Sequence, residues 1–207
     1  MTPGKIGSAA LLLTLAAWGC SERTGDVPEV PANAASTAPA PAAGTPEAKI
    51  LEAQSAAPTE IAGAATILDW PATEGAEPAV LREGDNGWTC FPTMPDMAAR
   101  GESGPMCLDG PFVAWAQAYM TQGTPELSAV GFGYMLAGDG GVSNINPYDM
   151  EPTPDNQWVK SGPHLMMVVP NAADLDAITT DPESGGPFVM WKGTPYVHVM
   201  MPVGASH

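Results

Sequence analysis

The stretch Phe188-Val-Met-Trp-Lys-Gly-Thr-Pro-Tyr-Val-His-Val-Met-Met-Pro-Val203 sets the reading of the folded part of the chain. Its two apolar runs, Phe188–Trp191 and Tyr196–Val203, flank Gly193-Thr194-Pro195, and short β-branched and aromatic runs bounded by turn residues read as strands. The turn makes them a hairpin in which Met190 lies opposite His198. A second copy of the pattern lies upstream. His164-Leu165-Met166-Met167 and His198-Val199-Met200-Met201 share the form His-x-Met-Met, and each follows a Trp and a Lys, at Trp158 and Lys160 and at Trp191 and Lys192. Strand alternation puts His164 with Met166 on one face, and His198 with Met200 on one face.

Working outward, further strand signals occur at Thr66–Leu68, Ala79–Arg82, Trp88–Phe91, Ala129–Leu136 and His164–Val169, each closed by Gly, Pro or Asp. The best helix signal starts at Asp109 as cap, puts Pro111 in the first turn and ends at Gly123. Phe112, Trp115, Ala116, Tyr119 and Met120 fall at i, i+3, i+4, i+7 and i+8, a single buried stripe. A shorter helix is expected over Ala172–Ile178. Strand clusters with two or three helices between them favour an α+β domain on a small, mostly antiparallel sheet, with an all-β sandwich as the alternative.

At 207 residues the chain is expected to hold one domain of about 150 residues plus extensions. From Ser21 to Gly63 the residues are chiefly Ala, Pro, Ser, Thr, Gly and Glu, with no aromatic among them, too little apolar area to offset ordering entropy. Residues 20–63 are therefore expected to be a disordered Ala/Pro-rich linker, roughly forty residues reaching on the order of 100 Å. Residues 64–207 are expected to be a single acidic globular domain. Residues 1–19 read as a signal peptide: an early cation, Lys5, precedes an apolar run, Ala9–Ala17, too short to span a bilayer.

That run ends at Ala17-Trp18-Gly19-Cys20, which resembles the lipobox of bacterial lipoprotein precursors. The resemblance covers the first twenty residues and departs from the family pattern at Ala17, where Leu is commoner, and at the bulky Trp18. It implies acylation of Cys20, stable anchoring by several chains, and, with Ser21 rather than Asp next, residence at the outer membrane facing the periplasm.

Charge excludes one class of partner. From Ala64 onward seventeen Asp and Glu face four cations, Arg82, Arg100, Lys160 and Lys192. The electrostatic term that drives nucleic-acid binding has the wrong sign for such a surface. Direct docking on anionic lipid is disfavoured for the same reason, so membrane contact is left to the lipid anchor.

Cys90 and Cys107 are the cysteines that remain once Cys20 is modified, an even pair that in an oxidising compartment reads as a disulfide. Motifs for catalysis are lacking: there is no Gly-x-Ser-x-Gly, no His-Glu-x-x-His and no phosphate-binding glycine loop. The primary expectation is a non-catalytic domain that binds an envelope protein, a cell-wall component or a small ligand. Tyr148 and Trp158, in and beside the long Gly138–Gln157 stretch, are its candidate contacts. The alternative is a copper-binding protein using His164, Met166, His198 and Met200, since imidazole and thioether suit Cu(I). That site requires a register pairing His164 with Met200 and Met166 with His198. An unrecognised hydrolase is the remaining alternative.

Overall fold

The computed structural model describes Met1 and residues 40–73 and 75–204. Among them are four α-helices, α1 (Pro46–Gln54), α2 (Thr59–Ala62), α3 (Pro95–Ala99) and α4 (Gly110–Met120). The strands in chain order are β1 (Thr66–Leu68), β2 (Val80–Arg82), β3 (Thr89–Phe91), β4 (Met106–Leu108) and β5 (Gly131–Met135), then β6 (Val142–Ser143), β7 (Trp158–Val159), β8 (His164–Val168), β9 (Phe188–Met190) and β10 (His198–Pro202). Eight of them form a sheet ordered β2-β1-β3-β4-β5-β8-β10-β9, and β6 and β7 form a separate ribbon. The β1–β3 pair is parallel and the other recorded pairs are antiparallel. The fold is thus α+β and mostly antiparallel, but eight strands make the sheet larger than the small one expected. The helix expected over Ala172–Ile178 is a single 3-10 turn, Ala172–Leu175.

The sheet is covered on both faces. On one, α4 lies over β5, β8 and β10, where Phe112, Trp115, Met166, Met190 and Met200 share a core. Asp109 fixes that helix twice: one carboxylate oxygen accepts from the Phe112 N–H at 3.0 Å as the N-cap, and the other accepts from the Phe132 N–H at 2.8 Å. The capping residue therefore also pins the helix start to β5, and a cap of this kind contributes about 1 kcal/mol. Gly131 and Gly133 sit beneath the helix, and a Cβ at Gly131 would meet the Phe112 backbone N at 2.7 Å. Bare backbone there lets α4 approach closely.

On the opposite face, Ile67, Cys90 and Cys107 pack with a set of alanines, Ala53, Ala56 and Ala62, from α1, α2 and the turn between them. This corrects the expected domain boundary at residue 64, because α1 and α2 belong to the folded unit. Thr45 caps α1 by accepting from the Ala48 N–H, Pro46 occupies its first turn, and Lys49 pairs with Asp69 at 2.5 Å. Alanine reads as linker by composition, yet its small side chain lets a helix lie flat on a sheet. The expected signal peptide beyond Met1, Cys20 and residues 21–39 of the expected linker lie outside the described residues. Cys90 and Cys107 oppose each other on β3 and β4 and are joined as a disulfide in that alanine-lined core. No described helix is long and apolar enough to cross a membrane.

Candidate ligand-binding cavity

A cavity of about 150 Å³ lies between α4 and the sheet. Eight of the chain's twelve methionines line it, together with Trp70, Phe112, Trp115, Tyr119 and Trp191, and with His198 and Asp139 as its ionisable side chains apart from that tyrosine. The sheet register places its floor. Met190 is directly opposite His198 on β9 and β10, as the hairpin reading expects, and Met166 is directly opposite Met200 on β8 and β10. Opposed Cβ atoms lie about 5 Å apart, so these four side chains form two adjacent rows.

The roof is aromatic. Trp115 stacks on Trp191 at 5.9 Å and 5°, Tyr119 stacks on Trp191 at 5.4 Å, and Tyr148 stacks outside Tyr119 at 5.6 Å. Tyr196 stands perpendicular to Tyr119 and donates its hydroxyl proton to the Gly123 carbonyl at 2.8 Å. Trp191 adopts φ +57°, a region costly for a bulky side chain, at the start of the hairpin loop. Two bonds hold it there: its backbone N–H donates to the Asn144 carbonyl at 3.1 Å and its indole N–H to the Ser143 carbonyl at 2.6 Å. The β6 segment thereby fixes an indole against the cavity.

His198 is buried, with its ring edge-on to Trp191 at 4.9 Å and to Trp115 at 5.3 Å. Its Nδ1 lies 3.0 Å from the Tyr196 carbonyl oxygen. A carbonyl only accepts, so Nδ1 carries the proton and Nε2 keeps a bare lone pair. Burial lowers the imidazole pKa to about 4, outweighing the Tyr196 bond that favours the charged form, so the ring is neutral at physiological pH.

His164 uses the same local geometry, with Nδ1 donating to the Gly162 carbonyl at 2.8 Å. Its buried Nε2 has no hydrogen-bond partner among the described residues and stands 3.8 Å from Asp139 Oδ2, too far for a hydrogen bond. Asp139 Oδ1 accepts from the Gly141 and Ser161 N–H groups at 3.0 and 3.1 Å. Desolvation raises the Asp139 pKa, against the opposing pull of His164 and these two bonds. Ser161 Oγ is buried without a partner among the described residues. Ser161, His164 and Asp139 are thus neighbours, but a nucleophile must bond its base, and neither Ser161 Oγ nor His164 Nε2 has a hydrogen-bond partner. Among the described residues these three side chains assemble no hydrolytic triad.

The four residues expected to bind copper share one face of the sheet, but in a different register. His164 pairs with Pro202, not Met200, and Met166 with Met200, not His198. A shift of two residues keeps side chains on the same face, yet it places His164 four residues along the strand from the His198 row, about 13 Å away at 3.3 Å per residue. His164 and His198 therefore do not converge. Met190 takes the place beside His198, and Trp191, Trp115 and Asp139 join the site without a motif that marks them. Among the described residues no three His, Cys, Asp or Glu side chains cluster to hold a metal ion.

Of the two candidate contacts, Tyr148 is exposed at the outer end of the aromatic stack. Trp158 lies in the β6–β7 ribbon, half-buried over Gly141. Compared with known family models, curated proteins and solved structures, the chain matches none.

Proposed function

We propose that the chain is a non-catalytic binding protein of the bacterial cell envelope, anchored through Cys20 at the outer membrane facing the periplasm, with its ligand site in the cavity beneath α4. The observation that carries this reading is the cavity itself. It is lined almost wholly by apolar side chains, the usual character of a small-molecule pocket. Methionine is the side chain best able to close such a gap, and here eight of them surround one.

Size and chemistry limit the ligand. A void near 150 Å³ accepts a molecule of about benzene size, below the roughly 300 Å³ at which drug-sized pockets begin. The lining offers thioethers, aromatic faces, one neutral nitrogen lone pair at His198 and the carboxyl group of Asp139. Benzene is a suitable first probe: above its Kd it should raise the melting temperature with the logarithm of its concentration, as mass action requires, and change the fluorescence of Trp115 and Trp191. A melting temperature and emission spectrum indifferent to saturating benzene would remove the cavity as a binding site.

A further inference from the structure

On the reading that this cavity is the binding site, we infer that its ligand is Cu(I), held by His198 Nε2 and the thioethers of Met190 and Met200. Met190 lies opposite His198, Met200 follows His198 by two residues on the same face of β10, and all three line the same cavity. Methionine has three rotatable side-chain bonds, enough for sulfurs on adjacent rows to meet one ion.

The donor chemistry selects the ion. Thioether and imidazole are soft to borderline donors and prefer Cu(I), whereas Mg²⁺, Ca²⁺ and Mn²⁺ want clustered oxygens. A set of neutral donors in a nearly dry pocket compensates one positive charge better than two, because desolvation cost rises steeply with charge. Metal-binding histidines characteristically donate the other ring N–H to a carbonyl, and His198 donates Nδ1–H to Tyr196 while Nε2 stays bare. The Trp115 and Trp191 rings flank His198. Aromatic faces attract cations and keep water from the metal. The acidic exterior, seventeen carboxylates against four cations from Ala64 onward, draws cations toward the protein. Copper enters and leaves as Cu(I), with no redox step.

The test is an anaerobic titration of the full chain with Cu(I) against bicinchoninate, with benzene binding measured on the same samples. One Cu(I) per chain is expected, with quenched tryptophan emission. Met190→Leu and Met200→Leu keep volume and remove sulfur; each should weaken Cu(I) at least severalfold while benzene still binds, which also reports that the fold is intact. His198→Ala should weaken Cu(I) tenfold or more, and His164→Gln should leave it within about twofold. Benzene binding without Cu(I) binding overturns the metal assignment and leaves the cavity reading standing. Loss of both responses in the unmodified chain overturns both. Cu(I) affinity that ignores the three site variants, or that falls only in His164→Gln, overturns this donor set.

Discussion

His198 meets Trp191 edge to face, with ring centroids 4.9 Å apart and planes at 76°. The imidazole is thereby held in an apolar setting that opposes its protonation, while Trp191 is held in turn through its indole N–H by Ser143 and through its backbone N–H by Asn144. One hairpin thus supplies both the nitrogen donor of the cavity and part of its shield.

Burial of His198 makes the protein less stable in mild acid. Its folded pKa, about 4, lies below the unfolded value near 6.5, so between these pH values the unfolded chain binds a proton that the folded chain does not. The contribution is complete above about pH 6.5 and falls by about 1.4 kcal/mol per unit down to pH 4, on the order of 3 kcal/mol in all. Asp139 titrates with the opposite sign, so the informative quantity is the difference between the protein and His198→Phe in urea melts across this range. A difference independent of pH would mean that His198 titrates alike in the folded and unfolded chains.

Asp139→Asn should stabilise the protein at neutral pH. The folded pKa of Asp139 is raised, so the unfolded chain ionises first and stability declines as pH rises above about 3.9 toward the folded value. Asparagine keeps an oxygen for the Gly141 and Ser161 N–H groups and turns an amide donor toward the orphan His164 Nε2. Melting temperatures of the two proteins should converge near pH 3 and separate at pH 7. A less stable variant at pH 7 would instead indicate that the Asp139 carboxylate is ionised and favoured in the fold.

The close approach of α4 predicts an unequal pair of glycine variants. A Cβ at Gly131 meets helix backbone at 2.7 Å, whereas one at Gly133 meets the flexible ends of Leu108 and Met166 at 2.9 and 3.0 Å. Gly131→Ala should cost about 1 to 3 kcal/mol, the usual range for overpacking. Gly133→Ala should cost less and weaken benzene binding by crowding Met166. Chemical denaturation of both settles the order.

The Cys90–Cys107 disulfide closes a loop with a sequence separation of 17. Such a loop contributes about 3 kcal/mol through the unfolded chain. Cys90 and Cys107 are fully buried, so reductant should act only on unfolding molecules, and the reduced protein should melt several degrees lower. Non-reducing peptide mapping should recover the linked pair. Free thiols that alkylate rapidly under native conditions would contradict this.

If Cys20 is the acylated N-terminus, mass spectrometry of membrane-purified protein should find lipid on that residue, and Cys20→Ser should leave the membrane fraction. An unmodified N-terminus elsewhere would remove the anchor.

Local signals were legible where neighbours in sequence are neighbours in space. The hairpin around Gly193 opposes Met190 to His198 because a short connection sets the pairing of its own strands. The Asp109–Gly123 stretch contains α4 because cap, proline and apolar stripe all lie within it. By contrast, the ribbon strands have only two residues each, too few to show a period, and β4 runs straight into the cap of α4, whose signal masks it. The alanines of α1 and α2 look like linker until the sheet they cover exists.

From the sequence alone it followed that the two His-x-Met-Met segments are strands and that each puts its His and first Met on one face, since alternation is a property of the strand itself. Which residues of β8 and β10 stand opposite each other was decided only by the tertiary structure. No short turn joins those strands, so their register follows from packing across the whole sheet: Met166 lies between Gly133 and Met200, with α4 over the bare glycine backbone. Two residues of register, invisible to the pattern of faces, separate a His164 beside Asp139 from a His198 among methionines and indoles.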